Sequence, residues 1–200
     1  MALEFFREGY EDYEIIGGEK FMAPAANTWH HNIASKLMII IGMHVATNKL
    51  GFVFSDSMDV HFPDGSLFKP DFMFISAANS KIVVDNKHST IHGVPDMVAE
   101  IFSRSTMKRD IGIKKDIYER NGVKEYWMID PWRETVEVYL LRNGKFEFDG
   151  LYQNWSENDL EELTELPEEE RPEVKFEIPV AVLDGFMIKI KNIFGWYIEP

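Results

Sequence analysis

Two carboxylates stand where apolar side chains are expected. Asp71 opens the run DFMFI directly after Lys69-Pro70, and Glu100 lies inside MVAEIF. Both runs read as strands. The second is apolar apart from its one acid, the pattern of a strand buried on both faces. Burying a carboxylate there without a partner is expensive. A lysine or arginine would answer the charge, and so would a divalent cation. Hard Mg²⁺ or Mn²⁺ takes one or two carboxylates and fills its other positions with water and substrate phosphate. The residue types alone leave both partners open.

Other chemistries find less support. The 200 residues include no cysteine, which excludes a disulfide framework, a thiol nucleophile and a thiolate metal site. Ser103 and Ser105 have no histidine placed to suggest a triad. His88 and His92 stand four apart in a stretch that reads as loop, with no third zinc ligand adjoining. The longest apolar run, Leu37 to Met43, falls far short of the ~20 residues of a membrane helix. The acidic start MALEFFREGYEDYE lacks the basic flank and cleavage site of a signal peptide. The expected setting is the cytoplasm, with no membrane partner.

The elements that would position the two acids follow from pattern. Met1 to Gly9 reads as a short helix and Glu19 to Met22 as a short strand. Asn27 or Thr28 caps a helix to about Asn48, with Ile33, Leu37, Ile40, Ile41 and Val45 at helical spacing and Gly51 ending it. Strands are expected at Phe52 to Phe54, Met58 to Phe62 and Asp71 to Ile75, with Pro63-Asp64-Gly65-Ser66 turning a hairpin between the last two. Ala77 to Val94 reads as loop with a minor strand at Lys81 to Val84. The buried strand Met97 to Phe102 leads to a helix capped by Ser105 or Thr106 and stopped at Asn121-Gly122. Glu125 to Ile129, Thr135 to Leu141, Phe146 to Phe148, Lys175 to Pro179 and Phe186 to Ile190 are further strands, with a hairpin turn at Arg142-Asn143-Gly144-Lys145. This order implies a mixed sheet with helices packed on it.

The net charge of −13 argues against bulk attraction to nucleic acid. Its distribution is uneven. Ser156 to Glu170 holds eight acids and no base and reads as solvated surface. Arg104 to Lys124 holds seven bases against three acids.

A Pro-Asp opening one strand and a Glu within the next central strand resemble the skeleton of the PD-(D/E)XK nuclease site. The stretches KPDFMFI, GVPDMVAEIFSRST, DIGIKKDIYERNGVKEYWMIDP and TVEVYLL resemble the Uma-two family of restriction endonucleases (domain of unknown function 820). So do YEIIGGEKFMAP, the His at the head of HHNIASKL, and LDGFMIKIKNIF. The likeness is close over about Tyr13 to Asp130 and looser beyond. Pro95-Asp96 shows that the dipeptide alone carries little.

The resemblance implies an α/β fold: a restriction-endonuclease-like mixed β-sheet core flanked by helices, with extra C-terminal β segments. It implies metal-dependent hydrolysis of phosphodiesters, with Mg²⁺ or Mn²⁺ held by Asp71, Glu100 and the backbone carbonyl of Ile101. The lysine of the motif would stand two residues after the Glu, where this chain has Phe102. In the family a helix lysine takes over, matching Lys114. Helical spacing allows it, because Ile111, Lys114 and Tyr118 share one face. The competing reading pairs Lys114 with Asp110 at the surface; Lys115 is the fallback amine. Glu19 and Glu14 are candidates for an accessory carboxylate, against the slightly favoured reading of a turn acid in YEIIGGEK. His30 matches the family's histidine and either touches phosphate or metal-bound water, or caps the helix. Trp127 and Trp132 read as core and edge packing.

The expected protein is a single domain over 1–200, with a core at about 13–142 and a C-terminal β extension at about 143–200. It would be an endonuclease on nucleic acid, DNA rather than RNA, guided by the basic Arg104 to Lys124 segment, and a homodimer through its apolar C-terminal segments. The rival expectations are a catalytically silent binding or regulatory module and a hydrolase of small phosphodiesters.

Overall fold

The computed structural model describes residues 13–16, 18–22, 27–55, 58–84, 90–102 and 107–195, with backbone only at 22, 84 and 107–111. The helix expected at Met1 to Gly9, the caps Ser105 and Thr106, and His88 and Ser103 lie outside them.

The central sheet has six strands in the order β11-β10-β9-β8-β6-β3. These are β3 (Gly51–Ser55), β6 (Phe72–Ser76), β8 (Met97–Ile101), β9 (Glu125–Asp130), β10 (Thr135–Arg142) and β11 (Lys145–Gln153). Within this sheet, among the described residues, only β8 and β9 pair in parallel; β3, β6, β10 and β11 join antiparallel. The parallel pair is linked by α3 (Met107–Asn121), the crossover that parallel neighbours require.

Alternation along these strands feeds two cores. Phe72, Phe74, Met97, Ala99, Ile101, Trp127 and Ile129 face α1 (Thr28–Asn48) and the C-terminal elements. Met73, Ile75, Val98, Phe102, Tyr126 and Met128 face α3 and a second sheet. That sheet runs β2-β1-β5-β4-β7. Its strands are β1 (Tyr13–Ile16), β2 (Glu19–Met22), β4 (Val60–His61), β5 (Leu67–Phe68) and β7 (Ile91–His92). The C-terminal cover consists of the hairpin β12 (Glu177–Pro179) and β13 (Met187–Lys189) with α5 (Lys191–Phe194).

Several sequence expectations are met closely. Asn27 caps α1, its Oδ1 accepting the His30 N–H at 3.0 Å. Asn143 and Gly144 both take positive φ, 51° and 78°, as a two-residue hairpin turn demands. Others are corrected. The turn at Pro63 to Ser66 joins β4 to β5, not to Phe72–Ser76. Lys69-Pro70 intervenes, and a proline cannot donate to a ladder, so β6 departs for the central sheet. Lys81–Val84 is one turn of helix (α2), not a strand; four residues are too few for period to decide. α1 ends at Lys49, in the left-handed region, before Gly51. Gly51 instead opens β3, where a Cβ would lie 2.1 Å from the Ile75 carbonyl oxygen. The acidic run is exposed, as expected, and folds as α4 (Glu157–Glu165) with a capping box from Ser156 and Asp159.

One buried carboxylate secures the C-terminal cover. Glu125 is fully buried and accepts the Trp127 indole N–H at 2.7 Å and the Val182 N–H at 2.8 Å. Burial pushes its carboxyl up from the ordinary 4.5 to about 7. A carboxyl that holds its proton more tightly when folded makes the fold lose stability as pH rises between those values. We expect Glu125 to cost ~3 kcal/mol across that window. Denaturant titrations at pH 5 and pH 8 should show a shallower pH dependence for Glu125→Gln than for wild type; equal slopes would contradict the assignment.

Candidate active site

The two strand acids meet at one edge of the central sheet. In the β6–β8 ladder Phe72 pairs with Ala99 and Met73 with Val98. Extending the register by one residue sets Asp71 opposite Glu100. By alternation Glu100 shares a face with Val98 and Phe102, the face that packs on α3. Asp71 also touches β8 directly, its Oδ2 accepting the Ile101 N–H at 2.6 Å. Its Oδ1 lies 2.9 Å from His30 Nε2. The capped first turn of α1 therefore places His30 on the carboxylate.

Lys114 reaches the same spot from α3. Its Nζ donates to Glu100 Oε2 at 3.2 Å and to Glu14 Oε1 at 2.7 Å. Glu14 comes from β1, and its Oε1 also lies 3.4 Å from the Lys69 N–H. The Tyr118 hydroxyl, one turn beyond Lys114, donates to Glu100 Oε1 at 2.5 Å. Glu14, Glu100, Lys114 and Tyr118 are all at most 9% exposed, so solvent screens these charges weakly.

The electrostatics follow from that burial. Desolvation, helped by Asp71 and Glu14, pushes Glu100 up to about 8, against the pull of Lys114 and the Tyr118 hydrogen bond. Burial works against the Lys114 charge, but Glu100, Glu14 and Asp71 outweigh it and hold the ammonium well above its ordinary range. Burial also raises the Tyr118 phenol, which stays a donor.

Sequence reasoning brought Asp71, Glu100, Ile101, Lys114 and His30 to this edge, and the structure groups them there. Lys114 points inward to Glu14 and Glu100. Of the two accessory acids, Glu14 is in the site and Glu19 is exposed at the start of β2. Lys115 instead sits over the Tyr139 ring, 3.4 Å from its centroid. His92 is exposed and stacks on His61. Trp127 is core and Trp132 is 38% exposed. The Tyr118 hydroxyl was missed: helical spacing marked its ring as packing, and nothing in the sequence marks a phenol as a carboxylate partner.

The basic stretch is less open than its composition suggests. Arg120 pairs with Asp64 and Lys124 with Asp96. Among the described residues, no group of three or more histidine, cysteine or acidic side chains forms a metal-holding cluster, and no helix is long and apolar enough to cross a membrane. A hard cation needs no such cluster, since two carboxylates with water and phosphate suffice. The charge balance fits one. Three carboxyl groups, Glu14, Asp71 and Glu100, stand around the one Lys114 ammonium.

A mixed sheet flanked by helices, with an acidic pair at a strand edge and a lysine beside it, defines a restriction-endonuclease-like α/β protein. The fold is similar to the crystal structure of a putative nuclease belonging to DUF820 from Anabaena variabilis ATCC 29413. That likeness has a TM-score of 0.71 and 19% identity, over 92% of this chain and 90% of the other. The family model described as "Putative restriction endonuclease", Uma2, matches residues 2–181, and the chain belongs to that family. No curated protein matches. Membership of this family supports a nuclease-like function.

Lys114→Met should destabilise the fold by about 3–5 kcal/mol at pH 8, because it strands buried carboxylates. The loss should shrink at pH 5, where Glu100 takes up a proton. Chemical denaturation at both pH values measures it, and a pH-independent loss would contradict the charge balance.

Proposed function

We propose that this protein is a divalent-cation-dependent endonuclease that hydrolyses phosphodiester bonds in DNA. The observation that carries the reading is the gathering of three carboxyl groups, Glu14, Asp71 and Glu100, around Lys114. Asp71 and Glu100 offer oxygen donors from adjacent strands, and the Ile101 carbonyl is a third candidate. This all-oxygen set suits Mg²⁺ or Mn²⁺ better than zinc or copper. When bound, such an ion acts as a Lewis acid on phosphoryl oxygen and acidifies water.

The side chains divide the remaining work. Lys114 stays protonated because carboxylates surround it, and it has three N–H donors. Two are given to Glu14 and Glu100. The third is available to the attacking water or to a phosphoryl oxygen gaining charge. Glu14 anchors the ammonium from the second sheet, as an accessory rather than a ligand. His30 and the Ile101 N–H each hold one oxygen of Asp71, which fixes the plane of that carboxylate. Packing of Phe62, Phe68 and Tyr118 screens the amine side of the site from water.

The same reading takes 1–200 as one domain working in the cytoplasm. It includes a homodimer, supported by the exposed Phe176 and Met187 on the C-terminal cover. The ion pairs of Arg120 and Lys124 favour a second possibility, a small phosphodiester substrate that needs little basic surface.

Supercoiled plasmid, single-stranded DNA, RNA and a small aryl phosphodiester should be offered with Mg²⁺ or Mn²⁺. Plasmid nicking is expected, falling at least ~10²-fold in Asp71→Asn and Glu100→Gln. Turnover confined to the small diester would favour the second possibility. Cleavage that survives Glu100→Gln, or no cleavage of any substrate, would sink the endonuclease reading.

A further inference from the structure

We propose that Tyr118 is the positioning residue for Glu100, holding its carboxylate in the one orientation that receives a divalent cation. This rests on the reading of Glu100 as a cation ligand. The terminal torsion of a glutamate is broad, so an unrestrained carboxylate presents either oxygen in many directions. Here α3 grips both oxygens at once. Lys114 Nζ takes Oε2 at 3.2 Å and the Tyr118 hydroxyl takes Oε1 at 2.5 Å. Lys114 and Tyr118 are four residues apart, on one face of the helix.

The phenol has no freedom to let go. Tyr118 is fully buried. Its ring centroid lies 5.6 Å from that of Phe62, 5.4 Å from Phe68 and 5.2 Å from Tyr126. The lysine is a long, rotatable stem, whereas the tyrosine hydroxyl is set by a wedged ring. Tyr118 is thus the rigid half of the clamp. Each carboxylate oxygen has two acceptor sites. With one on each committed to α3, the other pair keeps a fixed direction, and a cation meets a preset ligand.

Tyr126 provides an internal control. It is equally buried and touches Tyr118, yet its hydroxyl makes no hydrogen bond among the described residues. Tyr118→Phe and Tyr126→Phe each delete one buried hydroxyl and keep the ring. Only the first loosens Glu100.

The experiment is calorimetric titration of Mn²⁺ into wild type, Tyr118→Phe, Tyr126→Phe and Glu100→Gln, with melting temperatures confirming folding. Tyr118→Phe is expected to weaken Mn²⁺ binding by about 10–100-fold, and Tyr126→Phe to stay within about twofold. The Tyr118→Phe defect in plasmid nicking should appear mainly in the Mn²⁺ concentration for half-maximal rate, and saturating Mn²⁺ should restore turnover. If Tyr118→Phe does not fold, the Tyr118 hydroxyl proton of wild type is followed by NMR; it should shift on Mg²⁺ addition. An unmoved proton, or Mn²⁺ affinity in folded Tyr118→Phe within twofold of wild type while Glu100→Gln loses binding, overturns this proposal alone. Undiminished Mn²⁺ binding in Glu100→Gln overturns the cation reading itself, and this proposal with it.

Discussion

An ammonium held in a nearly dry pocket by carboxylates from two different sheets is the constraint on which this molecule turns. Lys114 contacts Glu100 of the central sheet and Glu14 of the smaller one. Neither acid is tolerable alone at such burial, and neither is the amine. Their mutual attraction fixes the depth at which α3 sits between the layers. It also fixes where β1 must lie, since Glu14 anchors from that strand. The surrounding rings of Phe62, Phe68 and Tyr118 then do two jobs. They bury apolar surface, and by excluding water they strengthen every charge interaction inside.

The opposite face of the central sheet obeys a simpler rule. Ile33, Leu37 and Ile41 of α1 lie on Phe72, Phe74 and Trp127, and Ile178, Ile188 and Ile193 of the C-terminal cover complete the layer. Glu125 is one polar exception there, satisfied by an indole and a backbone amide. His44 stacked on Phe186, with centroids 4.0 Å apart, joins α1 to that cover. Electrostatics on one side and packing on the other divide the sheet into a reactive face and a supporting face. Asp71, at the strand end, is held from α1 through His30 and from the neighbouring strand β8 through the Ile101 amide.

The central sheet and much of the site could be read from the chain because their signals are local. Asp71 and Glu100 stand out as acids in apolar runs. The family resemblance pointed to Lys114, and the helical face it shares with Tyr118 allowed it to turn inward. The Asn143-Gly144 turn and the Asn27 cap have stereochemical signatures. What escaped was non-local or ambiguous. The strand partner of β4 depended on how Lys69-Pro70 diverts the chain between sheets. Glu14 and Glu19 are chemically equivalent and share a face in the β1–β2 register; they differ because β1 lies between β2 and β5 while β2 ends the sheet. The Tyr118 hydroxyl could not be told from an ordinary core ring, because its partner arrives from a distant strand.

Distance along the chain has a further effect. Glu14 and Lys114 are 100 positions apart, Asp71 and Ile101 are 30 apart, and Tyr118 and Glu100 are 18 apart. Loops of this length close late and slowly during folding. Lys114, its two acids and Asp71 come together only when both sheets and α3 are in place. Whatever chemistry the pocket performs therefore waits on the assembled fold, and a chain caught part-way through folding does not yet hold it.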